Sequence, residues 1–143
     1  MIDGARRELL VHRKGATRAF GPGMPGLPSE YQKIGQPVII GGSMETGSYL
    51  LTGVEGGAAT FFSTAHGSGR TMSRAKAKKS FHGRELQRTM EARGIYVRSV
   101  SYGGLAEEAG AAYKDIDAVV DATARAGLSR PVARLTPIGN VKG

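Results

Sequence analysis

His66 stands immediately before a Gly-Ser-Gly turn, in the run Ser63-Thr64-Ala65-His66-Gly67-Ser68-Gly69-Arg70. Imidazole is both a nucleophile and a proton carrier near neutral pH. Glycines let the backbone turn tightly and bring bare N–H groups against a ligand. A helix starting just after them adds unpaired N–H groups and the positive end of its dipole. Such a place holds an anion, most often a phosphate. The spacing therefore predicts a phosphate nest with His66 at its lip, able to attack or protonate what is held there. Gly-x-Gly alone is a weak signal, and glycine-flanked histidines are common in ordinary loops. What sharpens the reading is the charge that follows.

Between Arg70 and Lys79 the chain carries Arg70, Arg74, Lys76, Lys78 and Lys79 and no acid. A solvated helix face usually mixes signs. A run of one sign repels itself unless an anion lies near, so residues 70–88 read as a phosphate or nucleic-acid contact. Arg70 and Arg74 are four apart, share a face if helical, and could clamp one phosphate. Lys14 and Arg18 add charge in a glycine-containing loop, either as ordinary surface charge or as further phosphate contacts. His12 falls in a strand-like pattern and reads as structural; His82 reads as a surface loop residue. The three histidines share no metal-type spacing and the chain has no cysteine, so no self-contained metal site is expected. There is no Gly-x-Ser-x-Gly elbow and no P-loop. A bound nucleotide would be held some other way.

These residues need elements to position them. The 143 residues suffice for one domain with its own core. Net charge +8 favours an anionic partner: RNA, DNA, a nucleotide or a membrane surface. No apolar run approaches the roughly 20 residues that span a bilayer. The first residues lack the apolar core of a signal peptide, so a cytoplasmic protein is expected. Residues 8–13 read as a strand, 14–18 as a loop, and the proline- and glycine-rich 21–30 as irregular chain. The apolar run at 37–40 reads as a buried strand, 41–47 as a turn, and 48–54 and 59–63 as strands. A strand thus runs into the His66 turn and a helix, 70–80, leaves it. A second helix, 83–93, buries Leu86 and Met90 and stops at Gly94. Residues 95–100 alternate as a strand, and 104–110 read as a helical turn. Asp115 or Asp117 caps a helix reaching Ala126, with Ile116, Val119, Val120 and Thr123 on one face and Gly127 after it. Residues 131–137 close as a strand. The class is α+β, with strands crowded in the first half and helices following the histidine turn.

Several segments resemble the C-terminal part of the RtcB family of RNA ligases. They are Val11-His12-Arg13-Lys14-Gly15-Ala16-Thr17-Arg18-Ala19-Phe20, Gly35-Gln36-Pro37-Val38-Ile39-Ile40-Gly41-Gly42-Ser43-Met44, Ser63 to Arg70, Met72-Ser73-Arg74, Gly104-Leu105-Ala106-Glu107-Glu108-Ala109, Ala112-Tyr113-Lys114-Asp115-Ile116-Asp117, and Val132-Ala133-Arg134-Leu135 through Lys142-Gly143. The resemblance runs through nearly all of residues 1–143. It implies an RtcB-like mixed fold and an enzyme that joins 2′,3′-cyclic-phosphate or 3′-phosphate RNA ends to 5′-hydroxyl ends. It implies that His66 attacks the α-phosphate of GTP and becomes guanylylated. The guanylate then passes to the RNA 3′-phosphate, and the 5′-hydroxyl displaces GMP. Gly67, Ser68 and Gly69 would line the nucleotide. Gly41, Gly42, Ser43 and Met44 match the family's second nucleotide loop, and Ser48 the serine near the guanine. Tyr113 and Lys142 match residues that close over the base. Lys14, Arg70 and Arg74 match basic positions that hold RNA or phosphate.

Departures from the pattern carry their own expectations. The family's second loop reads Pro-Gly-Ser-Met-Gly-Thr-Ala-Ser, where this chain has Gly41, Glu45 and Gly47 for the proline, the second glycine and the alanine. Glu45 brings negative charge to a nucleotide loop. The family's manganese ligands, an aspartate, a cysteine and several histidines, lie before the segment matched here. The resemblance therefore implies manganese held elsewhere, in an N-terminal ligase half that this chain would need. The alternative is a nucleotide- or RNA-binding remnant without catalysis, or an inactive fragment whose strands have lost their partners.

Overall fold

The computed structural model describes residues 4–142; Gly143, which ends the last matched segment, lies outside them. Its strands are β1 (Ala16–Arg18), β2 (Pro37–Gly41), β3 (Ser48–Gly53), β4 (Ser63–Ala65), β5 (Tyr96–Ser99), β6 (Ser129–Leu135) and β7 (Gly139–Lys142). Its helices are α1 (Arg74–Ser80), α2 (Gly83–Ala92), α3 (Tyr102–Glu107) and α4 (Ile116–Arg125). The expected α+β mixture holds.

The centre is an antiparallel sheet in the order β2-β3-β6. Val38 pairs with Leu51 and Ile40 with Tyr49, so the alternation of β2 sends Val38 and Ile40 to one face. Helix α4 covers that face. Ile40, Leu51, Ile116 and Val120 form one buried cluster with Tyr49, Ala65 and Val119 at its margin. Fully burying such a side chain is worth about 1.5–3 kcal/mol, so this cluster anchors the sheet to the helix. Between the two candidate caps, the structure selects Asp115, whose carboxylate accepts from Asp117 N at 2.9 Å. Gly127, in the left-handed region at φ 66°, ends the helix as expected.

A second cluster holds the other half together. Met44, Met90, Ile95, Val97 and Leu105 are buried together, with Leu86 against them. They come from the turn after β2, from α2, β5 and α3. Here β5 pairs in parallel with β7, Tyr96 opposite Gly139 and Ser99 opposite Lys142.

The structure departs from the expectations in four places. Residues 8–13 form no strand; Leu9, Leu10 and Val11 are exposed, and the strand is the expected loop, Ala16–Arg18, which pairs antiparallel with Ser63–Ala65. Residues 59–63 are not a strand either. A 3₁₀ turn spans Glu55–Thr60, and Phe61 and Phe62 follow in the left-handed region at φ 51° and 53°. The Arg13 guanidinium braces that corner, donating to Ser63 Oγ at 2.8 Å and to the Phe61 carbonyl at 3.0 Å. The helix expected over 70–80 begins only at Arg74, because Ser73 caps it by accepting from Lys76 N at 3.2 Å. Strand β7 was not expected at all. Among the described residues no helix is long and apolar enough to cross a membrane.

Among the described residues the sheet face opposite α4 is left open. Ile39 is 60% exposed and Val132 58%, with half-buried Leu50 paired to Ile39 between them.

Candidate functional site

Three backbone segments are laced together around the histidine turn. Gly41 N donates to the His66 carbonyl at 3.2 Å, and Ser68 N donates to the Gly41 carbonyl at 2.7 Å. On the other side Lys114 N donates to the Gly69 carbonyl and Thr71 N to the Ala112 carbonyl, both at 2.9 Å. His66 N also points to the Gly15 carbonyl at 3.4 Å, which brings the loop holding Lys14 alongside. The 41–48 loop, the 66–70 turn and Tyr113 therefore meet in one place, with the backbone next to Lys14 at its edge.

The 42–47 loop is a tight hydrogen-bonded turn. Gly42 N donates to the Gly47 carbonyl at 2.9 Å, and Ser43 Oγ accepts from Glu45 N and Thr46 N at 3.2 and 3.3 Å. A side chain at Gly42 would run into the Gly47 carbonyl and the Thr46 hydroxyl. Gly47, where the family pattern has alanine, takes φ 88° and lies against the Leu135 carbonyl. Met44 turns its side chain into the core cluster, and its carbonyl accepts from Asn140 Nδ2 at 3.0 Å. Its side chain and its carbonyl are thus both engaged within the protein. Ser48 opens β3, paired with Gly41 and Leu135. The charge of Glu45 is taken up within the protein: Oε2 accepts from Gly110 N at 2.6 Å and Oε1 faces the Arg93 guanidinium at 3.7 Å.

His66 itself is exposed, whereas Ser68 is only 4% exposed. Ser68 Oγ is buried and has no hydrogen-bond partner among the described residues. Buried hydroxyls are nearly always bonded, so an orphan of this kind fits a polar ligand with phosphate or ribose oxygens. Ser68→Ala removes no internal hydrogen bond. It is expected to leave stability within about 0.5 kcal/mol while weakening nucleotide binding roughly tenfold, read by urea unfolding and by a GTP titration.

The basic residues do not sit as the sequence suggested. Arg70 lies outside α1, so it and Arg74 share no helix face; they converge through a carboxylate instead. The Arg70 guanidinium stacks 4.6 Å over the Tyr113 ring, donates to Tyr113 Oη at 2.8 Å, and donates to the Glu107 carbonyl. Glu108 receives the Tyr113 hydroxyl at 2.5 Å and faces Arg70, Arg74 and Lys142 at 3.7 Å each. Glu107 pairs with Lys78 and lies 4.0 Å from Arg74. Sequence reading missed both acids. The available signal was that Glu107-Glu108 is the one adjacent acidic pair in a basic chain.

Burial acts to raise the Glu108 pKa, but the Tyr113 hydroxyl and then the charges of Lys142, Arg70 and Arg74 outweigh it and hold it below the ordinary 4.5. Burial, and then the bond to Glu108, raise the Tyr113 phenol above 10.0. A carboxylate depressed in the folded state adds stability above its unfolded pKa and loses it as pH falls through the folded value. Stability is therefore expected to drop as pH falls below about 4.5, and Glu108→Gln to flatten that limb, in urea titrations across the acid range.

Among the described residues no group of three or more His, Cys, Asp or Glu side chains gathers where it could hold a metal ion. They therefore form no self-contained manganese site. What the described residues do bring together is an exposed imidazole, a buried hydroxyl without a partner, close-packed glycines and cations gathered on Glu108.

Residues 2–143 match the family model described as tRNA-splicing ligase RtcB. The chain is 54% identical to the tRNA-splicing ligase RtcB of Archaeoglobus fulgidus, over 99% of this chain and 30% of that protein. It is 51% identical to that of Methanococcus maripaludis, over 100% of this chain and 30% of the relative. It is also 51% identical to the RNA-splicing ligase RtcB of Mycobacterium tuberculosis, over 99% of this chain and 33% of the relative. The chain thus spans about a third of the length of these relatives. It belongs to the tRNA-splicing ligase RtcB family.

Proposed function

We propose that this chain forms the guanylate-accepting, C-terminal part of a GTP- and manganese-dependent RNA ligase. Its reaction joins 2′,3′-cyclic-phosphate or 3′-phosphate ends to 5′-hydroxyl ends, in tRNA splicing and RNA repair in the cytoplasm. His66 attacks the α-phosphate of GTP and pyrophosphate leaves. A cyclic end is first opened by water, which breaks the 2′-O–P bond and leaves a 3′-phosphate. The guanylate then moves from His66 to that 3′-phosphate, and the 5′-hydroxyl attacks the activated phosphate, loses its proton and releases GMP. Gly67, Ser68, Gly69 and the 41–48 loop hold the nucleotide. Tyr113 and Lys142 close on it, and Lys14, Arg70 and Arg74 take RNA phosphates.

The observation that carries this reading is exposed His66 at the head of a glycine turn that holds the orphaned Ser68 hydroxyl and ends at Arg70, whose partner Glu108 also faces Arg74 and Lys142. Manganese, when bound, would neutralise the triphosphate and ease attack on it. Its ligands are assigned to a part of the ligase outside these residues, in the same chain or a separate one. The open face of the β2-β3-β6 sheet supports that need. Ile39 and Val132 present apolar surface that the family's remaining length has the size to cover.

The test is joining of two RNA pieces, one ending in 3′-phosphate and one starting with 5′-hydroxyl. The chain is assayed with GTP and Mn²⁺, alone and combined with the preceding part of a family ligase. Joined RNA in the combined sample, lost without GTP, is expected. RNA binding with no joining and no covalent guanylate in either sample would make the chain an inactive binding remnant.

A further inference from the structure

We propose that Glu108 is a positioning residue that assembles the cations of this site before any ligand arrives; the inference rests on the ligase reading above. Four groups from four separate places reach this one carboxylate. Arg70 comes from just after the glycine turn, Arg74 from the first turn of α1, Tyr113 from the segment before α4, and Lys142 from the end of β7. Glu108 follows the last residue of α3 and is held in reach by it, as Leu105 and Ala106 beside it are buried.

The geometry differs from that of a surface ion pair. The Glu108 side chain is 20% exposed and that of Arg70 22%, whereas Arg74 at 69% and Lys142 at 36% reach in from the solvent side. Arg70 keeps other anchors, the Glu107 and Met72 carbonyls, so it stays placed whatever Glu108 does. Lys142 has Glu108 as its ion-pair partner, and the Tyr113 hydroxyl donates to the same carboxylate. Glu108 therefore governs Lys142, Arg74 and the tilt of Tyr113 more than it governs Arg70.

Long cationic side chains lose rotamer freedom when they bind a phosphate. Ordering them in advance removes that loss from the binding step. The cost is partial neutralisation, and here it is limited. Among the described residues Arg70, Arg74, Lys78 and Lys142 pair with Glu107 and Glu108, four cations to two acids, so this cluster is positive and attractive to an anion. Glu108 acts through these side chains and does not itself contact the nucleotide.

The test compares the full chain with Glu108→Gln and Glu108→Asp. Acetylation of Lys142 is followed by peptide mass spectrometry without ligand, with exposed Lys33 as internal standard. An amine held against a carboxylate is less free to reach the reagent and reacts more slowly. Glu108→Gln is expected to raise the Lys142-to-Lys33 rate ratio several-fold, and Glu108→Asp to restore most of the protection. An unchanged ratio in a folded Glu108→Gln chain would overturn the proposal. Should that variant fail to fold, the unaltered chain decides: Lys142 reacting as fast as Lys33 overturns it, and slower reaction upholds it. GTP titration separates the two readings. About tenfold weaker binding in Glu108→Gln is expected, and equal affinity overturns the positioning role. Absence of GTP binding by the unaltered chain, alone and combined with the preceding part of a family ligase, counts against the ligase reading and leaves the acetylation ratio to decide Glu108.

Discussion

His66→Ala is expected to abolish RNA joining by a family-length ligase carrying this segment, lowering the rate by roughly a thousandfold or more, about 4 kcal/mol of barrier. The size follows from the role. A nucleophile that forms the covalent intermediate is not replaced by its neighbours, since Ser68 Oγ is buried and Tyr113 Oη and Lys142 Nζ are held on Glu108. The same change should leave the fold intact. The ring is exposed, and the bonds that place the turn are the backbone contacts to Gly15 and Gly41, which alanine retains. Unfolding free energy should stay within about 0.5 kcal/mol of the parent. Joining assays paired with urea unfolding check both halves. Lost activity together with a large loss of stability would mean that His66 is structural.

Gly83→Ala is expected to be the most damaging small change in the scaffold, at about 2–3 kcal/mol. Gly83 is buried at the start of α2, and a Cβ there would overlap the Tyr102 carbonyl, the first residue of α3. Backbone cannot rotate away as a side chain can, so α3 must shift. That helix carries Glu107 and leads into Glu108, so the strain should reach the Arg70 cluster as well as the core. Gly103→Ala is the internal contrast. Its Cβ would meet only the flexible Lys78 Cε at 3.7 Å, inside a helix. There alanine should stabilise by about 0.5–1 kcal/mol through its better helix propensity. Thermal unfolding of the two variants should therefore move in opposite directions.

Much of this was legible from residue spacing, and the failures share a cause. Helices α2 and α4 declare themselves through Leu86 and Met90 and through Ile116, Val120 and Thr123, which repeat with the helical period and face local partners. Strands β1, β4 and β7 are short and pair with distant residues, Thr17 with Thr64 and Val97 with Asn140, so nothing nearby marks them. The Leu9-Leu10-Val11 run looks like a strand but finds no partner. The aromatic pair Phe61-Phe62 suggests a strand by propensity, yet the turn into Ser63–Ala65 needs two left-handed residues there, and tertiary contacts override propensity. At the site, the glycine turn around His66 was visible because its chemistry is local. The convergence of Arg70 and Arg74 was expected from a helix face and arises instead from Glu108, which only the folded chain brings near. The position of Lys142 beside that carboxylate depends on the β5–β7 pairing.

The central claim is that guanylate forms on His66 and is passed to RNA. The most direct measurement incubates a family-length ligase carrying this segment with labelled GTP and Mn²⁺ and maps the labelled peptide. The account expects label on the peptide holding Ser63 to Arg70, bound at His66, and its loss when RNA ending in a 3′-phosphate is added. Label on another residue, or joined RNA with no labelled peptide at any time, would contradict it.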